Sequence, residues 1–166
     1  EENKALYQTV LNPFAIKDQP RGALTDVVEG DRFFDAINFV LDNKLMEPRS
    51  EDTFGALEPL TAGEYAATLF VFIGGGGSPE ESMAALGQYG LINPALKVDD
   101  VMTREEVADH LHALLDASGV DLKTDLPEMP ELADADQVDE DMVDVYRFML
   151  GHGLFPLTED KALAPR

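Results

Sequence analysis

The sequence predicts an all-α protein built from short helix–loop–helix repeats. Apolar residues recur at helical spacing, most clearly at Phe33, Ile37, Val40 and Leu41. No segment alternates polar and apolar residues over a useful length, which argues against β-strands. Three short sequence landmarks also recur along the chain in the same order, and recurrence of this kind is typical of repeat proteins.

Six helices are predicted, at residues 3–11, 32–42, 61–73, 78–90, 103–117 and 139–153. Pro13 and Pro20 break the chain after the first of them, and the run from Gly74 to Gly77 is a flexible connector. Residues 118–130 read as a linker. Ser78 and Pro79 are a favourable cap and first helical residue for the fourth helix.

The first landmark is an Asp-containing lead-in, Leu24-Thr25-Asp26-Val27 and Leu132-Ala133-Asp134-Ala135. The second is a helix that closes on a turn residue followed by two apolar ones. It occurs three times, as Asn43-Lys44-Leu45-Met46, Tyr89-Gly90-Leu91-Ile92 and His152-Gly153-Leu154-Phe155. The third is a helix start, Leu60-Thr61-Ala62-Gly63-Glu64 and Met102-Thr103-Arg104-Glu105-Glu106.

Helix capping explains the threonine and the glutamate of the third landmark. Thr61 and Thr103 can each accept a hydrogen bond from the N–H three residues on, while Glu64 and Glu106 reach back to the threonine N–H. We therefore predict a capping box at each threonine, and Glu81 can close a further one with Ser78. Capping does not explain Arg104.

The charge balance restricts the partners. The chain of 166 residues carries 33 Asp and Glu against 12 Lys and Arg, a formal net charge of −21. Such a surface repels phosphate backbones and anionic lipid, so neither nucleic acid nor membrane insertion is expected. The absence of cysteine excludes disulfides and thiolate metal sites.

The residues suggest no catalysis, metal or cofactor. There is no Gly-x-Ser-x-Gly elbow and no cysteine nucleophile, so we expect no enzymatic activity. His110 and His112 lie two positions apart on one helix and cannot easily share an ion; exposed or boundary positions are expected for them. The acidic run that starts at Asp134 lacks the glycine and the final glutamate of a calcium loop.

The order of these landmarks, with Thr53-Phe54 in the loop and Leu/Met-Thr-x-x-Glu at the second helix, resembles the S-layer homology (SLH) repeat. The match divides the chain into an N-terminal helix and loop (1–23), repeat 1 (24–77), repeat 2 with a linker (78–130) and an incomplete repeat 3 (131–166). The resemblance implies one compact domain, a pseudo-threefold bundle of helix–loop–helix units.

The resemblance also implies a function. SLH domains tether bacterial surface proteins to secondary cell-wall polysaccharide, often pyruvylated, through grooves between repeats. On the matching positions, Arg104 and Arg166 would contact the acidic sugar, and Asp26 and Asp134 would accept hydrogen bonds from its hydroxyls. The implied location is the extracellular bacterial cell surface, after removal of a signal peptide.

Two departures from the SLH pattern keep an alternative open. Ala62 stands where repeat 1 should carry arginine, and the chain contains no tryptophan, with Arg32 at the usual first-helix tryptophan position. A degenerate module that serves protein–protein assembly or spacing fits these departures. An incomplete third repeat would also expose an apolar face, which either residues 3–11 or self-association would cover.

Overall fold

A computed structural model describes residues 24–123 and 126–165. These residues form five α-helices and no β-strand. The helices are α1 (Phe34–Asp42), α2 (Ala62–Phe72), α3 (Pro79–Gln88), α4 (Arg104–Ala117) and α5 (Val143–Gly151). The all-α prediction is confirmed for this part of the chain. The helix predicted at 3–11 lies outside the described residues.

The last helix differs most from its predicted range. It was expected to begin near Asp139, but Glu140–Met142 form a 3₁₀ turn and α5 begins at Val143. Asp139 is extended and its side chain makes no capping hydrogen bond. 3₁₀ turns are common at the starts of α-helices.

All five described helices end in one geometry. After α2 and α4, Gly74 and Gly119 have φ of 90° and 80°, and the next N–H reaches back five residues, from Gly75 to Phe70 (2.8 Å) and from Val120 to Leu115 (3.1 Å). The recurring helix-end landmark of the sequence lies at α1, α3 and α5. Lys44, Gly90 and Gly153 follow these helices with φ of 54°, 68° and 66°. In each copy the next N–H reaches back five residues to a helix carbonyl: Leu45 to Val40 (2.8 Å), Leu91 to Leu86 (3.0 Å) and Leu154 to Met149 (2.8 Å). This is the Schellman closure, for which glycine is the usual residue because it has no Cβ.

The described chain divides into two compact units. The smaller contains residues 24–59 and 68–75, and the larger contains residues 60–67, 76–123 and 126–165. Helix α2 contributes residues 62–67 to the larger unit and 68–72 to the smaller one. The repeat boundaries given above remain predictions.

The larger unit has a continuous apolar core around α4 and α5. Its buried members are Ala108, Leu122, Met142, Val145, Tyr146, Phe148, Met149, Phe155 and Leu163. The segment after α5 therefore contributes to the core, through Phe155 and Leu163. In the smaller unit the buried apolar side chains are Val27, Ile37, Leu45 and Leu69. None of the described helices is long and apolar enough to cross a membrane.

Candidate functional site

Both threonine capping boxes are formed. The hydroxyl of Thr103 accepts the Glu106 N–H at 3.1 Å, and the Glu106 carboxylate accepts the Thr103 N–H at 2.8 Å. The corresponding distances at Thr61 and Glu64 are 3.2 and 2.9 Å. These four residues hold the starts of α4 and α2, and so fix where Arg104 and Ala62 stand.

The lead-in aspartates form a second repeated structure, which we call the carboxylate fork. The two carboxylate oxygens of Asp26 accept the N–H groups of Phe54 (2.8 Å) and Gly55 (2.7 Å). Asp134 does the same with Leu163 (2.9 Å) and Ala164 (2.7 Å). Both forks therefore join a lead-in to a loop 28 to 30 residues further on.

The two forks differ in exposure. Asp134 is buried, with 6% of its surface accessible, whereas Asp26 is exposed. The backbone hydrogen bonds from Phe54 and Gly55 lower the pKa of Asp26 below its ordinary value of 3.8, because they stabilise the charged form. At each aspartate the sugar-binding role predicted from the resemblance would have to coexist with this structural one.

Arg104 is the first residue of α4, and its guanidinium contacts the loop after α5. Its Nε donates to the carbonyl of Leu163 at 2.7 Å, and its Nη2 donates to the carbonyl of Pro156 at 2.5 Å. The guanidinium carbon lies 4.4 Å from the centroid of the Phe155 ring, at cation–π distance. The geometry is that of a clamp between the start of one helix and a loop more than 50 residues away.

A buried tyrosine lies within the electrostatic reach of this clamp. Tyr146 has no accessible surface, and its ring centroid is 5.9 Å from that of Phe155. Its hydroxyl has no hydrogen-bond partner among the described residues. Burial raises its pKa, Glu105 raises it further, and Arg104 opposes the rise. The tyrosine therefore stays neutral at physiological pH.

The helix starts also join consecutive predicted repeats in one repeated contact, which we call the junction. Gly63 N–H donates to the carbonyl of Val98 at 2.9 Å, and Glu105 N–H donates to the carbonyl of Pro165 at 3.1 Å. Gly63 and Glu105 each lie two residues after a capping threonine. At the first junction, Ala62 N–H also donates to the Asp100 carbonyl at 2.8 Å.

The junction bears on the remaining predicted arginine. It aligns Pro165 with Val98, and therefore Arg166 with Asp99 rather than with Arg104. Arg166 itself lies outside the described residues, so its assigned role stays a prediction that this alignment does not support. At the arginine position of repeat 1, Ala62 is fully buried.

The prediction that His110 is exposed or at a boundary is wrong. Only 5% of its surface is accessible, and its ring lies 5.7 Å from the Tyr65 ring. Its Nε2 accepts the Asn93 N–H at 3.1 Å, which requires an unprotonated Nε2. Burial lowers the pKa of His110, although Asp109 and Glu106 oppose this. No local pattern indicated the partner of His110, because Asn93 is 17 residues away.

Within the described ranges, no three His, Asp or Glu side chains are grouped so that they could hold a metal ion. No family model, curated protein or solved structure matches the chain significantly. The fold therefore defines this protein only as all-α in its described residues, with helix ends, carboxylate forks and junctions that recur along the chain.

Proposed function

We propose that this chain is an SLH-like module that anchors a bacterial surface protein noncovalently to the cell wall by binding secondary cell-wall polysaccharide. The observation that carries the proposal is the pair of junctions. In both, the start of a second helix binds the loop of the next predicted repeat through the same backbone atoms. Serial contacts of this kind are expected of repeats that cannot bury their apolar faces alone.

The two carboxylate forks add support, because they occur at the positions that the SLH resemblance pairs. A pseudo-threefold arrangement of the repeats is part of the proposal. Binding would place the module outside the cell, where wall polysaccharide is accessible.

A pull-down with wall sacculi from the bacterium that encodes the chain tests the anchoring. We expect the protein to sediment with native sacculi and to remain in solution with sacculi stripped of secondary polysaccharide. Equal retention by both preparations would exclude the secondary polysaccharide as the receptor. No retention by native sacculi would refute the anchoring proposal.

One observation favours the second candidate, a module for assembly or spacing without glycan binding. The Arg104 guanidinium already binds two carbonyls and an aromatic face, which is a structural use of the family's sugar-binding arginine. Light scattering coupled to size-exclusion chromatography separates the candidates. A concentration-dependent oligomer that ignores sacculi supports assembly, and a monomer retained by sacculi supports anchoring.

A further inference from the structure

Helix α1 carries the clearest apolar stripe of the sequence, and the described residues cover it incompletely. Of Phe33, Ile37, Val40 and Leu41, only Ile37 is buried. Val40 and Leu41 are half-buried, and Phe33, directly before the helix, keeps 48% of its surface accessible. An apolar stripe of this kind is stabilised by packing against another element, so the described part of the chain does not complete the packing of α1.

Helix α5 shows the complete cover that α1 lacks. Both helices are nine residues long and end in the same landmark, which aligns Ile37 with Tyr146 and Val40 with Met149. Tyr146 and Met149 have no accessible surface. Helix α4, which precedes α5 in the chain, packs on it and contributes the buried Ala108 to their shared core. Among the described residues, no helix precedes α1.

The helix predicted at residues 3–11 would precede α1 as α4 precedes α5. Its connection to α1 would be 22 residues long, and the connection from α4 to α5 is 25 residues long. Each connection contains one lead-in aspartate with its carboxylate fork, Asp26 in the first and Asp134 in the second. The order and spacing of the parts therefore match.

Charge favours this segment over a second copy of the chain as the cover for α1. Residues 3–17 contain Lys4 and Lys17 and no acidic residue. The smaller unit, residues 24–59 and 68–75, carries nine Asp and Glu against three Lys and Arg, so it attracts a basic segment. A second copy would instead bring another net charge of −21 and would be repelled.

We propose that residues 3–11 form a helix that covers the apolar stripe of α1. Leu6 and Val10, one helical turn apart, pack against Val40 and Leu41. The segment then belongs to repeat 1 instead of covering the third repeat, and the chain needs no self-association to bury α1. This inference goes beyond the proposed anchoring and does not depend on it.

Disulfide trapping tests the contact, because the full-length chain contains no cysteine of its own. Val10→Cys combined with Val40→Cys should form an intramolecular disulfide on mild oxidation, with a yield that is independent of protein concentration. The control pairs Val10→Cys with Asp35→Cys, an exposed position on the opposite side of α1, and its yield should be at least tenfold lower. Leu6→Cys replaces Val10→Cys in a second set, which allows for a shift of one turn.

The other outcomes of the trapping overturn the inference. A disulfide between Val10→Cys and Leu154→Cys, at a yield above that with Val40→Cys, places the segment on the third repeat. A disulfide-linked dimer whose yield rises with protein concentration shows that a second copy covers α1. Equal yields with Val40→Cys and Asp35→Cys in both sets show that the segment has no fixed place on α1.

Urea denaturation of two further full-length variants tests whether the segment is buried. Val10→Asp puts a charge on the packed side and should raise the equilibrium constant for unfolding at least tenfold. Gln8→Asp introduces the same residue two positions away, on the predicted polar side, and should change that constant less than twofold. Equal effects of the two variants, or no effect of Val10→Asp, would contradict the packing of Val10.

Discussion

The imidazole of His110 is buried on α4 and accepts the Asn93 N–H through Nε2. Protonation at Nε2 would replace this acceptor with a donor facing another donor. Burial also disfavours the protonated, charged form of His110, whereas Asp109 and Glu106 on the same helix favour it. Tyr65 on α2 faces the imidazole ring. A neutral His110 is therefore part of the folded state.

This arrangement predicts how stability depends on pH. Because folding lowers the pKa of His110 below its ordinary value of 6.5, the folded chain binds fewer protons than the unfolded chain just below that pH. The contribution of His110 to the free energy of unfolding is therefore complete above pH 6.5. It is lost as pH falls through the pKa that His110 has in the folded chain. Thermal unfolding of the wild type and His110→Gln between pH 7.5 and 5 measures it.

His110→Gln is a suitable control because a glutamine carboxamide oxygen can accept the Asn93 N–H but does not titrate. Protonation of other groups in this acidic chain affects both proteins, so the difference between them isolates the histidine. The wild type should lose more stability than the variant as pH falls. Parallel curves would show that His110 is not linked to folding.

At the scale of a helix, the start of α4 combines a cap with the Arg104 clamp. Thr103→Ala removes the hydroxyl that accepts the Glu106 N–H. We expect a loss of about 1 kcal/mol in the free energy of unfolding, measured by urea denaturation. Thr103→Ser keeps the hydroxyl and should retain most of the stability; if serine costs as much as alanine, the threonine methyl rather than the cap is what matters.

Most helix starts and ends were predictable from the sequence because their causes are local; the start of α5, which has no side-chain cap, was not. Thr103 and Glu106 lie three residues apart, and the closing hydrogen bond after α3 joins Leu86 and Leu91, which lie only five positions apart. The same local rule has an exception at Lys44, where a residue with a Cβ takes the left-handed conformation that glycine holds at the other four described helix ends.

At the scale of the whole molecule, the partners of the site residues could not be predicted. The Arg104 acceptors are 52 and 59 residues away, and they are backbone carbonyls, which carry no sequence signature. The same is true of the fork at Asp134, whose donors are backbone N–H groups. The sequence could identify these residues as special, but only the fold shows that they bind the chain itself.

The two carboxylate forks allow a test of this structural role. Asp134→Ala removes two charge-assisted hydrogen bonds and leaves N–H groups without acceptors beside Leu163, which has no accessible surface. We expect it to lower the free energy of unfolding by about 3 kcal/mol. Asp26→Ala makes the same change at an exposed site, where water can replace the carboxylate, and should cost less.

Asp134→Asn provides the intermediate step, since a carboxamide retains one acceptor oxygen, and urea denaturation should rank it between the wild type and Asp134→Ala. The structural role and the sugar-binding role predict different patterns. If Asp134 holds the loop that carries the Leu163 carbonyl to Arg104, its variants lose stability first, and any loss of retention by sacculi follows the unfolded fraction. If its main role is to bind sugar, retention falls while the unfolding curve stays unchanged.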